Sequence, residues 1–223
     1  MSNVAALSSH AVTQEPALLA EAAQFNGLEP HEIVARALRY ASRPLISTNF
    51  RPKSAALLHL VTRVAPEIPV VWVDTGYNTS ATYRHAEEIT ARLKLNLHVY
   101  TPRVTSARRY SVYSGVPSLD HPAHAAFTRE VKLEPFERAL REWNPDVWFT
   151  GIRGEQTDFR KQLGVVSRGP LGAIRVAPFF ARSAVDQDDY LYEHGLPDYD
   201  DYHDPTKGDD RRECGLQHLG QGI

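Results

Sequence analysis

A chain of 223 residues, 42% hydrophobic and 23% charged, has enough apolar content to bury one sizeable core, and its length argues against two independent ones. A formal charge of -2 supplies no overall field that would draw it to nucleic acid or to an anionic membrane surface, so any anion site must be local. The single cysteine excludes an internal disulfide, a four-thiolate iron–sulfur cluster and a thiol-rich zinc site, and points to a reducing, cytoplasmic compartment.

Residues 1–16 are small and polar without the basic-then-apolar pattern of a secretory signal, and no stretch reaches membrane-spanning length. Residues 16–25 and 30–41 are rich in alanine and leucine and are expected to form helices ahead of the main sheet, the second opening on proline with Glu32 in its first turn. A short strand at 44–48 (PLIST) leads through Asn49, Phe50 and Arg51 into a helix at 52–64, where Ala55, Leu58, Leu60 and Val61 give an apolar face. The run 69–74 (PVVWVD) is almost continuously apolar, the pattern of a parallel strand buried on both faces. It turns at 75–78 into a polar-faced helix at 79–93, and a third strand is expected at 95–100. After an irregular stretch come a helix at 129–143, with Pro135 in its opening turns, and a fourth strand at 146–150 (DVWFT). Beyond Gly169, residues 173–178 read as an edge strand and 185–194 as a short helix, while 197–223 shows no periodicity and reads as an arm. The expected division is an N-terminal helical segment at 1–43, an α/β domain at 44–196 and a C-terminal arm at 197–223.

Strands alternating with helices require parallel pairing through crossovers, hence a doubly wound, mostly parallel α/β sheet with its ligand crevice at the carboxyl ends of the strands. Three strand ends, at 47–50, 74–77 and 151–156, converge on that rim. The first turn, Ser47-Thr48-Asn49-Phe50-Arg51-Pro52-Lys53-Ser54, combines hydroxyls, a helix N-terminus and two cations, which suits a phosphate; it lacks the Walker spacing, and an ordinary capped helix start fits it as well. Asp74-Thr75-Gly76-Tyr77 offers a carboxylate, a hydroxyl and a ring to a nucleoside, against the plainer reading of a capped βα turn. The third, Gly151 to Lys161, sets Arg153 and Arg160 beside glycines, and arginine forks match phosphate or sulfate oxygens.

None of the ten histidines forms an HExxH pattern, His121 and His124 have no third ligand near them in sequence, and the acid-rich segment from Asp198 to Asp204 lacks the spacing of a calcium loop, so no metal is expected. No basic–aromatic surface pattern recommends nucleic acid. Cys214 lies in a polar, glycine-containing tail, where Arg211 and Arg212 favour a thiolate and Asp209, Asp210 and Glu213 oppose it; a reactive thiol and an idle one in a tail are both open on these residues alone.

Taken in order, VDTGYNTSATYR (73–84), KLNLHVY (94–100), KLEPFERAL (132–140), WFTGIRGEQTDFR (148–160) and the terminal ECGL (213–216) resemble the thioredoxin-dependent phosphoadenosine phosphosulfate (PAPS) reductase family, within the adenine nucleotide alpha hydrolase-like fold. The likeness runs from about residue 45 to 195 and resumes at 213. It implies that Cys214 attacks the sulfur of PAPS, releasing adenosine 3′,5′-bisphosphate and leaving an S-sulfocysteine from which reduced thioredoxin or glutaredoxin frees sulfite, a step of sulfate assimilation. By the same resemblance Ser47, Thr48 and Asn49 line the anion loop, Asp74, Thr75 and Gly76 bound the nucleoside, and Lys132, Arg153, Glu155, Gln156 and Arg160 surround the phosphosulfate, with His203 matching a family histidine near the active site. The reading carries no bound cofactor, no iron–sulfur cluster, no nucleic acid and no membrane; thioredoxin is the protein partner, a homodimer stays open, and a mobile arm brings the thiol to the crevice.

Relatives that use the non-phosphorylated adenosine phosphosulfate commonly carry paired cysteines and a cluster, so PAPS is the expected substrate and a cluster-free adenylyl-sulfate reductase the alternative. Arg51 stands where the family's anion loop has glycine, and if that position needs positive φ, either arginine is strained there or the loop has another shape. The segment between 195 and 213 is shorter than in typical members and lacks their G-Y-x-S-V-G-D stretch, and Gln217 replaces the histidine of ECGLH. Two rivals follow. One is an adenylating member of the same fold, which would need Mg²⁺ and a glycine-containing loop. The other is a nucleotide-binding regulatory protein that has kept the pocket and lost turnover.

Overall fold

The computed structural model describes residues 16–207 and Leu216. Its frame is a six-stranded sheet of β1 (Pro44–Thr48), β2 (Pro69–Val73), β3 (Asn96–Tyr100), β4 (Val147–Phe149), β5 (Val166–Arg168) and β6 (Ile174–Val176), in the order β3-β2-β1-β4-β6-β5. Every pairing is parallel except that of β5 with β6. The helices are α1 (Ala17–Ala20), α2 (Pro30–Leu38), α3 (Ser54–Thr62), α4 (Ser80–Leu93), α5 (Ser106–Tyr113), α6 (His124–Thr128), α7 (Glu134–Trp143), α8 (Asp158–Lys161) and α9 (Ala184–Glu193).

The apolar runs in β1, β2 and β4 are continuous because both faces of the sheet are covered, and alternate residues feed two separate cores. Ile46, Val70, Val147 and Phe149 pack with residues of α2, α3, α4 and α9 on one side. Leu45, Val71 and Trp148 pack with Phe136, Ala139 and Leu140 of α7 on the other. The two cores meet the sheet at its middle, where Ile46 pairs with Val70 on one flank and with Phe149 on the other.

The order reverses at β1. From there the chain builds outward through β2 to β3, then returns to place β4 on the opposite flank. The carboxyl ends of β1 and β4 therefore lie side by side while their following segments lead apart, which leaves a crevice between them.

Three elements differ from the sequence expectation. The strand expected at the edge, 173–178, is the shorter β6 and is internal; β5, whose three residues carry too little apolar pattern to signal a strand, takes the edge and runs antiparallel. The stretch after β3 contains α5, capped by the Thr105 hydroxyl; only Arg109 is buried along it, so there is no apolar stripe to read. The helix expected to start at 129 begins at His124, and the turn Arg129–Leu133 is π-helical before α7 resumes with Pro135 in its first turn. Proline brings no N–H to the helical ladder and crowds the preceding turn, and the wider turn absorbs both effects.

Phe149 is fully buried between β1 and β6, so Phe149→Ala is expected to cost about 3–5 kcal/mol, whereas Val185→Ala on exposed α9 should stay within about 0.5 kcal/mol. Urea midpoints of the two variants measured side by side check this.

Candidate active site

The loop from β1 to α3 is built by its own short side chains. The Thr48 hydroxyl accepts from the Phe50 N–H at 3.0 Å, and Asn49 Oδ1 accepts from the Arg51 N–H at 3.3 Å. Positive φ falls on Phe50 (47°) and Lys53 (68°) and not on Arg51, so the loop has its own shape and arginine is not strained where the family has glycine. Phe50 is held in that conformation by complete burial, its ring edge-on to Trp72 at 5.0 Å. At the start of α3 the Ser54 hydroxyl oxygen is buried and has no hydrogen-bond partner among the described residues.

Between the ends of β1 and β4 lies a cavity of about 120 Å³. Its described lining holds Arg51, Lys53, Lys132, Arg153, Arg160 and Lys207 and no carboxylate, over an apolar floor of Val71, Val73, Phe136 and Trp148. Ser47, Thr48, Asn49 and Gln156 also face it. The Trp148 indole N–H donates to the Ser47 hydroxyl at 2.8 Å, which ties the two strands together at the floor. The β4 turn is seated by Gly154, whose N–H donates to the Phe180 carbonyl and where a Cβ would come within 3.0 Å of the Phe180 ring. Gln156 then braces both arginines: its side-chain oxygen accepts from the Arg153 N–H at 3.0 Å and from the buried Arg160 guanidinium. Glu155 lies outside the lining and is exposed, and its carboxylate accepts from Arg153 Nε at 3.0 Å.

The β2 turn is a neighbour of this cavity and not part of its wall. Asp74 Oδ1 accepts from the Gly76 N–H (2.9 Å), the Asn78 amide (2.8 Å) and the Tyr83 hydroxyl (2.9 Å), and the Thr75 hydroxyl accepts from the Tyr77 N–H at 3.3 Å. Gly76 has φ +78°, which the turn requires. Burial, with the Asp74 hydrogen bond behind it, pushes the Tyr83 phenol up to about 12, so Tyr83 stays a donor to Asp74 throughout the physiological range. Asp74, Thr75 and Gly76 thus build a rigid turn one strand over from the crevice.

The arm crosses the rim. Asp198 accepts from the Lys53 N–H at 2.8 Å at the head of α3, while the Lys53 ammonium pairs with Asp188 of α9. Tyr199 donates to the Phe50 carbonyl at 2.6 Å and stacks on His85, and the Asn49 amide donates to the Tyr202 hydroxyl at 2.8 Å. Asp204 then pairs with Lys132, with 6% and 5% of the two side chains exposed, and also accepts from the Thr206 N–H and hydroxyl. Burial alone would push the Asp204 carboxyl up, but the Lys132 charge and the hydrogen bonds from Lys132 and Thr206 together hold it below its ordinary value.

Of the residues singled out in the sequence, the structure brings Ser47, Thr48, Asn49, Lys132, Arg153, Gln156 and Arg160 to one cavity. Asp74, Thr75, Gly76, Glu155 and His203 fall outside its lining, His203 on the exposed side of the arm. Cys214 lies outside the described residues. Lys207, Thr150 and Gln187 also line the cavity and carry no sequence signal beyond, for Gln187, a polar residue on the buried face of a helix. Among the described residues no group of three His, Cys, Asp or Glu side chains could hold a metal ion, and no helix is long and apolar enough to cross a membrane.

Two outcomes follow from this geometry. A buried hydroxyl without a partner costs about 1–3 kcal/mol, so Ser54→Ala should leave the unliganded protein as stable or more stable while weakening phosphate binding, a divergence that melting with and without phosphate reads directly. The Asp204 carboxyl is lower in the folded than in the unfolded chain, so its contribution is complete above the ordinary value near 3.8 and is lost as pH falls through the lowered folded value. Asp204→Asn should therefore destabilise at neutral pH, by up to about 3–5 kcal/mol because Lys132 stays buried without its counter-charge, and should flatten the loss of stability below about pH 4. Urea unfolding at stepped pH is the measurement.

The phosphoadenosine phosphosulfate reductase domain family matches residues 43–203. A phosphoadenosine 5′-phosphosulfate reductase of Synechococcus sp. is 35% identical over 189 residues, covering 82% of this chain and 81% of that protein. The Xylella fastidiosa protein of the same name is 38% identical over 170 residues, covering 74% and 69%. Among solved structures, PAPS reductase from Candida auris in a phosphate complex superposes with a TM-score of 0.70 at 20% identity, covering 80% of this chain and 86% of that one. The FMN adenylyltransferase of Candida glabrata gives 0.55 at 16% identity over 76% and 54%, which places the sheet in the adenine nucleotide alpha hydrolase-like fold. With a matching domain over most of its length and relatives above 30% identity across more than two thirds of theirs, this chain belongs to the phosphoadenosine phosphosulfate reductase family.

Proposed function

We propose that this protein reduces PAPS to sulfite and adenosine 3′,5′-bisphosphate, with Cys214 as the nucleophile and reduced thioredoxin or glutaredoxin as the electron donor. The observation that carries the reading is the cavity at the β1/β4 switch point, which gathers cations from four separate segments and meets no carboxylate in its described lining. A chain of net charge -2 that concentrates positive charge at one small place is suited to a ligand with several anionic groups on one side. The curated relatives that match most of the chain carry this activity in their names. Leu216, two residues beyond Cys214 in the sequence, lines the same cavity and packs against the core beneath it, which supports the cysteine as the group that reaches the substrate.

The chemistry balances with the residues available. The Cys214 thiolate attacks the sulfur of the phosphosulfate. A sulfur–sulfur bond forms, the bond from sulfur to the bridging oxygen breaks, and its electron pair leaves with the phosphate of adenosine 3′,5′-bisphosphate. Charge then accumulates on that phosphate, and Arg153, Arg160 and Lys132 are the cations that stabilise it. A thioredoxin-class thiolate next attacks the Cys214 sulfur, expelling sulfite and forming a mixed disulfide, which the second thiol of the donor resolves to its own disulfide and a regenerated Cys214 thiolate. Two electrons pass from the dithiol to the sulfonate sulfur.

Intact mass measured without reductant after mixing with PAPS, or separately with adenosine phosphosulfate, checks the first half. The expected result is one added sulfonate group with PAPS only, absent in Cys214→Ser, and sulfite release when reduced thioredoxin is supplied. No adduct with either nucleotide, although nucleotide binds, would favour a regulatory protein that has kept the pocket and lost turnover; an adduct with adenosine phosphosulfate alone would make it a cluster-free adenylyl-sulfate reductase.

A further inference from the structure

Three polar contacts of the described part of the arm engage donors that an anionic ligand at this rim would use. Asp198 takes the backbone N–H at the head of α3, where the helix dipole favours an anion. Tyr202 takes the Asn49 amide in the loop ahead of that helix. Asp204 takes Lys132, and the pair is buried on both sides, so the ammonium that faces the cavity is already neutralised. The cavity that remains, about 120 Å³, is well below the ~300–1,000 Å³ of a site that holds a nucleotide-sized ligand. Residues 198–207 thus set carboxylates against the rim where a ligand would bring phosphates.

We propose that residues 198–207 are an internal anion mimic: Asp198 and Asp204 occupy the α3 head and Lys132 in the empty protein, and the phosphates of the substrate displace them. This rests on the reading of the cavity as a nucleotide-anion site. Lys132 cannot serve a phosphate at full strength while a carboxylate sits against it, because the second anion meets a neutral pair and a like charge at close range. Displacement returns both Lys132 and the α3 head to the ligand in one event, because the two carboxylates are six positions apart on one strap. The contacts of Asp198 and Asp204 with the rim therefore break at the step that loads the site. Between turnovers the same contacts keep a cluster of cations from standing unpaired.

The test uses the full chain with two probes, adenosine 3′,5′-bisphosphate and inorganic pyrophosphate, the second carrying the diphosphate chemistry without the nucleoside. Affinities for both are measured by calorimetry on the wild type, on Asp198→Ala and on Asp204→Asn, and backbone amide exchange of residues 198–207 is followed by mass spectrometry with and without ligand. Asp198 is exposed, so Asp198→Ala keeps the experiment informative if Asp204→Asn folds poorly. The expected result is about three- to tenfold tighter binding by each variant and faster exchange across 198–207 when either ligand binds the wild type. Binding by the variants alone, with none by the wild type, would support the same conclusion more strongly. Unchanged or weaker binding by Asp198→Ala, with 198–207 equally or better protected in the bound state, would overturn the mimic and leave the nucleotide reading standing. Failure of every variant and the wild type to bind either probe would overturn the nucleotide reading and this inference with it.

Discussion

The pairing of β4 against β1 is the constraint on which the rest of the molecule depends. It is the place where the order of the parallel strands reverses, and it sets two strand ends side by side with their onward connections leading apart. The hydrogen bond from Trp148 to Ser47 locks the two ends at the depth of the cavity floor, with the Phe136 ring tilted against the indole at 5.3 Å in the same core. Every cation of the cavity is placed relative to that joint. Arg51 and Lys53 follow β1, Arg153 and Arg160 follow β4, and Lys132 comes from the π-helical turn just ahead of Phe136 on the helix that covers β1.

Electrostatics explains why such a pocket survives in a protein with nearly balanced charge. Gathering several guanidinium and ammonium groups round a small apolar-floored cavity costs repulsion, and the structure meets that cost in more than one way. Arg153 is shared between Glu155 and Gln187, and the Arg160 guanidinium donates to the side-chain oxygen of Gln156. Lys53 is drawn out to Asp188 on α9. Lys132, the most deeply buried of the cations with an acidic partner, takes its counter-charge from the arm and not from the sheet domain. The partners of Arg153 and Lys53 named here thus lie on the scaffold, and the Asp204 carboxylate on Lys132 sits on a separate strap.

Much of this was legible from residues alone. The apolar run of β2 reads as a strand buried twice over, and it is; the turn from Ser47 to Ser54 reads equally as a phosphate site or a capped helix start, and Ser47, Thr48 and Asn49 face the cavity. The antiparallel edge β5 was not legible, because three residues cannot display a period, nor was α5, whose buried side is one arginine paired to Glu130. Asp74 illustrates a different limit. A carboxylate at a strand end reads equally as a ligand contact or as the acceptor that shapes its own turn, and three donors converging on Oδ1 show the second role in the structure. Lys207 and Thr206 had no local signal at all, since their burial depends on where an aperiodic arm crosses a rim assembled from distant parts of the chain.

The shape of the β1 loop bears on how far likeness to relatives can be carried. A glycine in such a loop gives the backbone freedom to turn its N–H groups toward an anion, and Arg51 removes that freedom at its own position. Here the left-handed residues are the flanking Phe50 and Lys53, one fixed by burial against Trp72 and the other by the Asp198 carboxylate on its N–H and the Asp188 carboxylate on its ammonium. The backbone contortion lies one position before and two positions after Arg51, whose side chain brings positive charge to the cavity wall. Charge from a long side chain takes over part of what closely approaching N–H groups otherwise supply. If this loop is the anion site proposed above, a flexible cation beside the α3 head makes it tolerant of which acidic group sits there, and in this structure that group is the Asp198 carboxylate.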